Sequence, residues 1–125
     1  MTSERQRALD AVSVGDVIYG ISGHRNEKLL LVYEADEQGF RAVHITSRSR
    51  AEFDRHGRTR HGVGDGSCRI VSTAVLPEDD YKVAIGLDQK MRTGKAYPDF
   101  VLSKAEIQLI LNYGTFFRAN LLPEE

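Results

Sequence analysis

The chain has 125 residues, the size of one ordinary domain, and we expect a single domain over residues 1–125. Its formal net charge is −1, which excludes a protein held to nucleic acid or to a membrane by overall charge. No apolar run approaches the roughly 20 residues that cross a membrane. The N-terminus lacks a hydrophobic signal core, and the single Cys68 cannot form an internal disulfide. These features predict a cytoplasmic protein with no membrane contact.

Short β-strands are the main element that the sequence predicts. The stretches concerned alternate apolar and polar residues or are apolar on both faces, and turn residues separate them. The predicted strands are Val14–Ile21, Lys28–Glu34, Phe40–Ser47, Cys68–Leu76 and Tyr81–Leu87, with Asp88–Thr93 as an extension or a sixth strand. A short helix is predicted over Thr2–Val12 and a turn over Pro77–Asp80.

One amphipathic helix is predicted near the C-terminus. Ser103 and Glu106 form a capping-box pattern, in which each side chain accepts a hydrogen bond from the backbone N–H of the other residue. Apolar residues from Ile107 onward follow at helical spacing, so the helix is expected from about Lys104 to Phe117. The elements together predict an α+β, β-dominated fold, which is a small, partly closed antiparallel barrel with this helix packed on the sheet.

The strand that ends at Ser47 runs into a basic segment with no apolar period. We expect residues 48–67 to form a flexible loop whose arginines contact phosphates and become ordered on binding. The candidate nucleic-acid contacts are His24, Ser47, Arg48, Arg50, Arg55, Arg58 and Arg60. The alternative is a solvated loop whose charge balances the acidic turn at Glu78–Asp80.

Polar residues beside two of the predicted strands offer groups for cleaving RNA. Cleavage without a metal needs a proton acceptor for the 2′-hydroxyl, a proton donor for the leaving oxygen, and positive charge near the phosphate. His24 and Arg25 offer proton transfer and charge, and Thr46 and Ser47 offer hydrogen bonds to phosphate. The alternatives are that Arg25 is an ordinary solvated residue and that Thr46 is present for its β-propensity.

No metal or cofactor site is predicted. His56 and His61 are five residues apart and Cys68 lies further on, but this segment lacks the paired ligands and rigid spacing of a zinc site. His44 lies within a strand, and we expect its ring to be packed or hydrogen-bonded rather than catalytic.

Four short motifs give the chain a family resemblance. They are Gly15-Asp16-Val17-Ile18, Ile45-Thr46-Ser47, Leu87–Thr93 (LDQKMRT) and Leu102–Ile107 (LSKAEI). In this order they resemble the PemK/MazF family, the RNA-cleaving toxins of bacterial toxin–antitoxin pairs, from Gly15 to about Leu111. The resemblance implies an SH3-like barrel in which Leu87–Thr93 belongs to a late strand and a helix follows Leu102.

The same resemblance implies a function. An arginine of the first loop and a threonine at a strand end are associated with cleavage in that family, so Arg25 and Thr46 are the candidate catalytic residues of a metal-independent endoribonuclease acting on single-stranded RNA. A homodimer and an antitoxin with an acidic segment that occupies the basic groove are also implied. The proline that follows this arginine in the family is Asn26 here. The alternative is therefore a non-catalytic SH3-like module that binds nucleic acid or an acidic peptide.

Overall fold

The computed structural model describes residues 3–23, 25–60, 67–93 and 102–124, which contain five strands and three helices. In chain order the elements are α1 (Glu4–Asp10), β1 (Val17–Ser22), β2 (Glu27–Ala35), β3 (Gly39–His44), β4 (Arg50–Asp54), β5 (Cys68–Ser72), α2 (Glu78–Arg92) and α3 (Lys104–Arg118). Within these ranges no helix is both long and apolar enough to cross a bilayer.

The five strands form one antiparallel sheet in the order β4–β3–β2–β1–β5. Residues 57–60 lie between the two edge strands of this sheet. Thr59 pairs with Phe53 of β4, and Arg58 pairs with Arg69 of β5. The connection between β4 and β5 therefore joins the two edges, and the sheet becomes a partly closed barrel.

The two faces of the sheet are covered by different helices. On one face Leu9 of α1 packs into a buried cluster that includes Ile18 and Phe53. On the other face α2 and α3 cover a second cluster, in which Phe117 of α3 stacks on Tyr19 with ring centroids 5.3 Å apart. Because both faces are buried, the central strands are apolar on both sides, as the sequence of β2 indicates.

The predicted C-terminal helix is confirmed. Ser103 is the N-cap of α3, its Oγ accepts the N–H of Glu106 at 3.1 Å, and Glu106 Oε1 accepts the N–H of Ser103 at 2.7 Å. Lys90 of α2 donates to the same carboxylate oxygen at 2.6 Å, so the capping residue also joins α3 to α2. The predicted α+β class, with a partly closed antiparallel sheet and a C-terminal helix, is confirmed as well.

The prediction for residues 77–93 is wrong. The expected turn at Pro77–Asp80, the strand at Tyr81–Leu87 and its extension to Thr93 are replaced by α2, whose N-cap is Pro77. Three acidic residues lie in the first turn of α2, and Lys90 and Arg92 lie in its last turn, so both ends complement the helix dipole. The helix that these charges favour forms in place of the strand that the short alternation of apolar and polar residues predicted.

This correction changes two expectations. Of the family-like stretch Leu87–Thr93, residues 87–92 are helical, and none of it forms the late strand that the resemblance implies. The helical share of the fold also rises until it is about equal to the strand share.

The prediction of a flexible loop over residues 48–67 is wrong at residues 50–60. Arg50–Asp54 form β4, which pairs with β3 and buries the side chain of Phe53 completely. Asp54 Oδ1 then accepts the backbone N–H groups of His56 and Arg58, at 2.8 and 3.2 Å, which fixes the following turn. The strand is hard to recognise in the sequence because Phe53 is its only large apolar residue.

Candidate functional site

The candidate catalytic residues lie at one end of the sheet, which we call the turn end. It carries the β1–β2 turn, residues 23–26, and the β3–β4 turn, residues 45–49. Arg25 lies in the first turn and Thr46 in the second. The N–H of Ile45 donates to the carbonyl of Leu29 at 2.9 Å, which sets the second turn beside the start of β2. The fold brings Arg25 and Thr46 to the same end without a contact between their side chains.

Arg25 has an unusual backbone and an exposed side chain. Its φ is +62°, and its N–H donates to the carbonyl of Ser22 at 2.9 Å. A residue other than glycine in this region costs about 1 kcal/mol. In the described part of the chain the guanidinium of Arg25 has no hydrogen-bond or ion-pair partner, so nothing visible offsets that cost. His24, the preceding candidate, lies outside the described residues.

His44 connects the hydroxyl groups of the turn end. Its Nε2 lies 3.2 Å from Thr46 Oγ1, and its Nδ1 lies 2.9 Å from Ser47 Oγ. Ser47 Oγ also lies 2.9 Å from Ser49 Oγ. The expected hydrogen-bonded role of His44 is confirmed, and two candidate phosphate contacts are held by its ring.

The ring of His44 is neutral at pH 7. Burial of the imidazole, and then the positive charge of Lys28, lower the pKa of His44 to about 4. A neutral imidazole has one donor and one acceptor nitrogen, so one hydroxyl accepts from the ring and the other donates to it. If Thr46 is the accepting hydroxyl, its own hydrogen stays available for a further acceptor such as a phosphate oxygen, whereas the hydrogen of Ser47 can also be donated to Ser49 Oγ.

Arg48 takes part in an ion pair with α2. Its Nη1 donates to Asp88 Oδ1 at 2.6 Å, and Arg92 Nη2 donates to the other carboxylate oxygen at 2.5 Å. The Asp88 side chain is fully buried. A buried carboxylate is stable only when it is paired, so Arg48 has a structural task in the described fold.

Arg55 and Arg60 also make intramolecular contacts. Arg55 donates to the carbonyls of Leu9 and Val12, at 3.0 and 2.9 Å, and through two nitrogens to that of Asp36. Arg60 donates to Glu52 Oε1 at 2.9 Å and to the carbonyl of Gln38 at 3.0 Å. Their contact with nucleic acid stays a prediction, and it would require exchanging these bonds.

Arg50 and Arg58 are less engaged. The guanidinium of Arg50 lies 5.5 Å from the ring centroid of Tyr33, and no carboxylate of the described residues pairs with it. Arg58 lies beside Arg69 in a cleft of about 450 Å³ next to α1. We call this the arginine cleft, and its lining residues are Ser3, Arg5, Gln6, Leu9, Asp54, His56, Arg58 and Arg69.

Sequence reasoning did not single out Lys28 or Arg69. Arg69 had a usable signal, since it is the outward residue between the buried Cys68 and Ile70 of β5. Lys28 had none, because its proximity to His44 depends on strand pairing. In the described residues no three His, Cys, Asp or Glu side chains are grouped so that they could hold a metal ion.

Comparisons of the chain with protein-family models, with curated proteins and with solved structures give no match.

Proposed function

We propose that this chain is an RNA-binding domain of PemK/MazF-like type, which holds the backbone of single-stranded RNA at the turn end. The observation that carries the proposal is Arg25. A bulky residue keeps a left-handed backbone there, although glycine or asparagine would fit the turn at lower cost. Its side chain is exposed and without a partner in the described fold, so stability does not explain it. Strained backbone geometry of this kind is often found at functional positions.

The neighbouring groups suit a phosphate backbone. Lys28 adds a positive charge close enough to lower the pKa of His44. Thr46 and Ser47 add hydroxyl groups whose positions are fixed by the same ring. Cations with nearby hydroxyl donors are the usual contacts to phosphate oxygens, and such contacts carry little sequence information. We therefore expect RNA binding to depend strongly on the salt concentration and only weakly on the RNA sequence.

Cleavage of the bound RNA is a second candidate function. The placement of Arg25 and Thr46 at one end of the sheet favours it, because both belong to the cleavage pattern implied by the resemblance. The low pKa of His44 makes its ring a weak base at neutral pH, so proton transfer from the 2′-hydroxyl is the demanding step. A nuclease of this kind needs no metal.

A homodimer and an antitoxin partner belong to the same proposal. Ile107 and Leu111, one helical turn apart on α3, have exposed fractions of 45% and 73% and offer an apolar strip for a second copy. An acidic antitoxin segment would pair with Arg25 at the turn end, because the charge of Arg25 has no partner in the described fold.

The test of RNA binding is a titration of a fluorescent single-stranded RNA at several salt concentrations, in the presence of EDTA. Wild type is compared with Arg25→Gln, and Arg7→Gln is the matched control, because Arg7 is an exposed arginine on α1 away from the turn end. We expect the slope of log affinity against log salt to become shallower by about 0.7 in Arg25→Gln, the value of one phosphate contact on a single strand. The control keeps the wild-type slope. Absence of binding, or equal slopes for all three proteins, would contradict the proposal.

The same incubations decide the second candidate. Discrete fragments from wild type, but not from Arg25→Gln or Thr46→Val, would establish cleavage by these residues. Bound RNA that stays intact in every sample would remove the nuclease and leave the binding domain.

A further inference from the structure

Arg58 and Arg69 face each other directly across the join between residues 57–60 and β5. The N–H of Ile70 donates to the carbonyl of Gly57 at 2.7 Å, and the N–H of Thr59 donates to that of Cys68 at 3.1 Å. These bonds flank the pair, which makes it a non-hydrogen-bonded antiparallel pair. In such a pair the two side chains leave the same face with Cβ atoms about 4.5–5.5 Å apart.

Both arginines lack a compensating charge in the described residues. Neither forms an ion pair, whereas Arg41, Arg48, Arg60, Arg92 and Arg118 each do. Two like charges directly opposite each other destabilise a sheet. The fold therefore carries an electrostatic cost at this position that it avoids at the five arginines with an ion pair.

The arginine cleft around this pair is built from ordered groups. Arg5 lines it and donates from Nη2 to the carbonyl of Ile70 at 3.2 Å. Gln6 donates to the carbonyl of Arg55 at 2.7 Å, and its Oε1 lies 3.2 Å from His56 Nδ1. The one carboxylate in the lining is Asp54, whose Oδ1 already accepts two backbone N–H groups. The guanidinium groups of Arg58 and Arg69 therefore face a cleft whose one lining carboxylate is already engaged.

We infer that the arginine cleft is a binding site for a phosphomonoester group. Such a group carries a charge of about −1.5 to −2 at neutral pH and three acceptor oxygens, which matches two adjacent guanidinium groups. A phosphodiester carries one charge and would leave half of the pair uncompensated. The phosphomonoester is either the terminal phosphate of a nucleic-acid strand or part of a small phosphate ester. This site is separate from the turn end and does not depend on RNA binding there.

Two RNA oligonucleotides of one sequence, with a 5′-phosphate or a 5′-hydroxyl end, test the inference, together with adenosine monophosphate. Binding to wild type, Arg58→Gln, Arg69→Gln and Arg7→Gln is measured by calorimetry. We expect wild type and Arg7→Gln to prefer the phosphorylated end by roughly tenfold, and we expect either cleft variant to lose that preference. If adenosine monophosphate binds, a small phosphate ester is sufficient as the ligand of the cleft. If it does not bind and the phosphorylated oligonucleotide is still preferred, the ligand is the end of a nucleic-acid strand. Equal affinity for both ends in wild type, without binding of the nucleotide, would overturn the inference.

Thermal unfolding gives an independent readout. Because the pair is repulsive, we expect Arg69→Gln to melt at or above the wild-type temperature at low salt, so loss of binding is not loss of folding. Adenosine monophosphate should raise the melting temperature of wild type but not of Arg69→Gln, or the phosphorylated oligonucleotide should raise it more than the hydroxyl-ended one does in wild type but not in Arg69→Gln. Arg25→Gln should keep the preference for the phosphorylated end, which separates this inference from the proposed function. A melting temperature of wild type that neither probe changes at saturating concentration would contradict the site.

Discussion

The β1–β2 turn and the β3–β4 turn solve the same backbone problem with the same residue. Each contains an arginine with φ of +62°, Arg25 in the first and Arg48 in the second. Arg48 places its guanidinium 2.6 Å from the buried Asp88, and the ion pair accounts for the residue. Arg25 points to no carboxylate in the described fold. Residue type and backbone geometry are therefore the same at the two positions, and the two arginines differ in whether the guanidinium has a partner in the described fold.

Replacing Arg25 and Arg48 by glycine, one at a time, tests this difference most directly. Glycine accepts the positive φ, so Arg48→Gly removes the ion pair without adding backbone strain. We expect the free energy of unfolding to fall by about 3 kcal/mol, because the buried Asp88 keeps only Arg92 as partner. In Arg25→Gly it should stay unchanged or rise by up to about 1 kcal/mol. Urea denaturation of both variants measures the difference, and equal losses would remove the distinction between the turns.

Arg55 and Arg58 extend the comparison to the segment between β4 and β5. Arg55 donates to three backbone carbonyls and also lies over Phe40, with its Cζ 5.5 Å from the ring centroid. Arg55→Met should lower the free energy of unfolding by about 2 kcal/mol, since hydrogen bonds from a charged donor to partly buried carbonyls are lost. Arg58→Met should stay within about 0.5 kcal/mol of wild type. Chemical denaturation at one pH and salt concentration measures both, and a large loss in Arg58→Met would show a structural role that the described contacts do not reveal.

His44 makes the β3–β4 turn sensitive to pH. Its pKa is about 4 in the folded chain against an ordinary 6.5, so between these values the unfolded chain binds more protons. The contribution of His44 to the free energy of unfolding should therefore be complete above pH 6.5 and should be lost as the pH falls toward 4. The expected loss is about 1 kcal/mol, because the ring is partly exposed. Denaturation curves at several pH values measure it. His44→Gln should flatten this part of the profile and Arg25→Gly should not, and an unchanged profile in His44→Gln would assign the dependence to other groups.

The sequence predicts those parts of the fold that depend on local signals. The capping box of Ser103 and Glu106 is a local pattern, and α3 begins where it indicates. α2 also had local signals, namely Pro77 followed by three acidic residues and a basic last turn, but the alternation around Val83 obscured them. In this segment the charge pattern, and not the alternation, indicates the element that forms, which is α2.

The candidate site was predictable only in part. The resemblance placed Arg25 in the first loop and Thr46 at a strand end, and the fold brings both residues to one end of the sheet. The engagement of Arg48, Arg55 and Arg60 was not predictable, because their partners lie 40, 46 and 8 residues away in the chain. The opposition of Arg58 and Arg69 likewise depends on pairing register, which single residues do not encode.

The join at residues 57–60 has a consequence for association between molecules. Unpaired strand edges offer N–H and C=O groups to other chains and promote edge-to-edge aggregation. Here the N–H of Arg60 donates to the carbonyl of Glu52, while Thr59 donates to Cys68 in β5, so one short segment occupies both edges. Local detachment of residues 57–60 would leave the backbone groups of both edge strands unpaired at the same time. Residues 57–60, which include Arg58, therefore also occupy the strand edges through which the sheets of two molecules could pair.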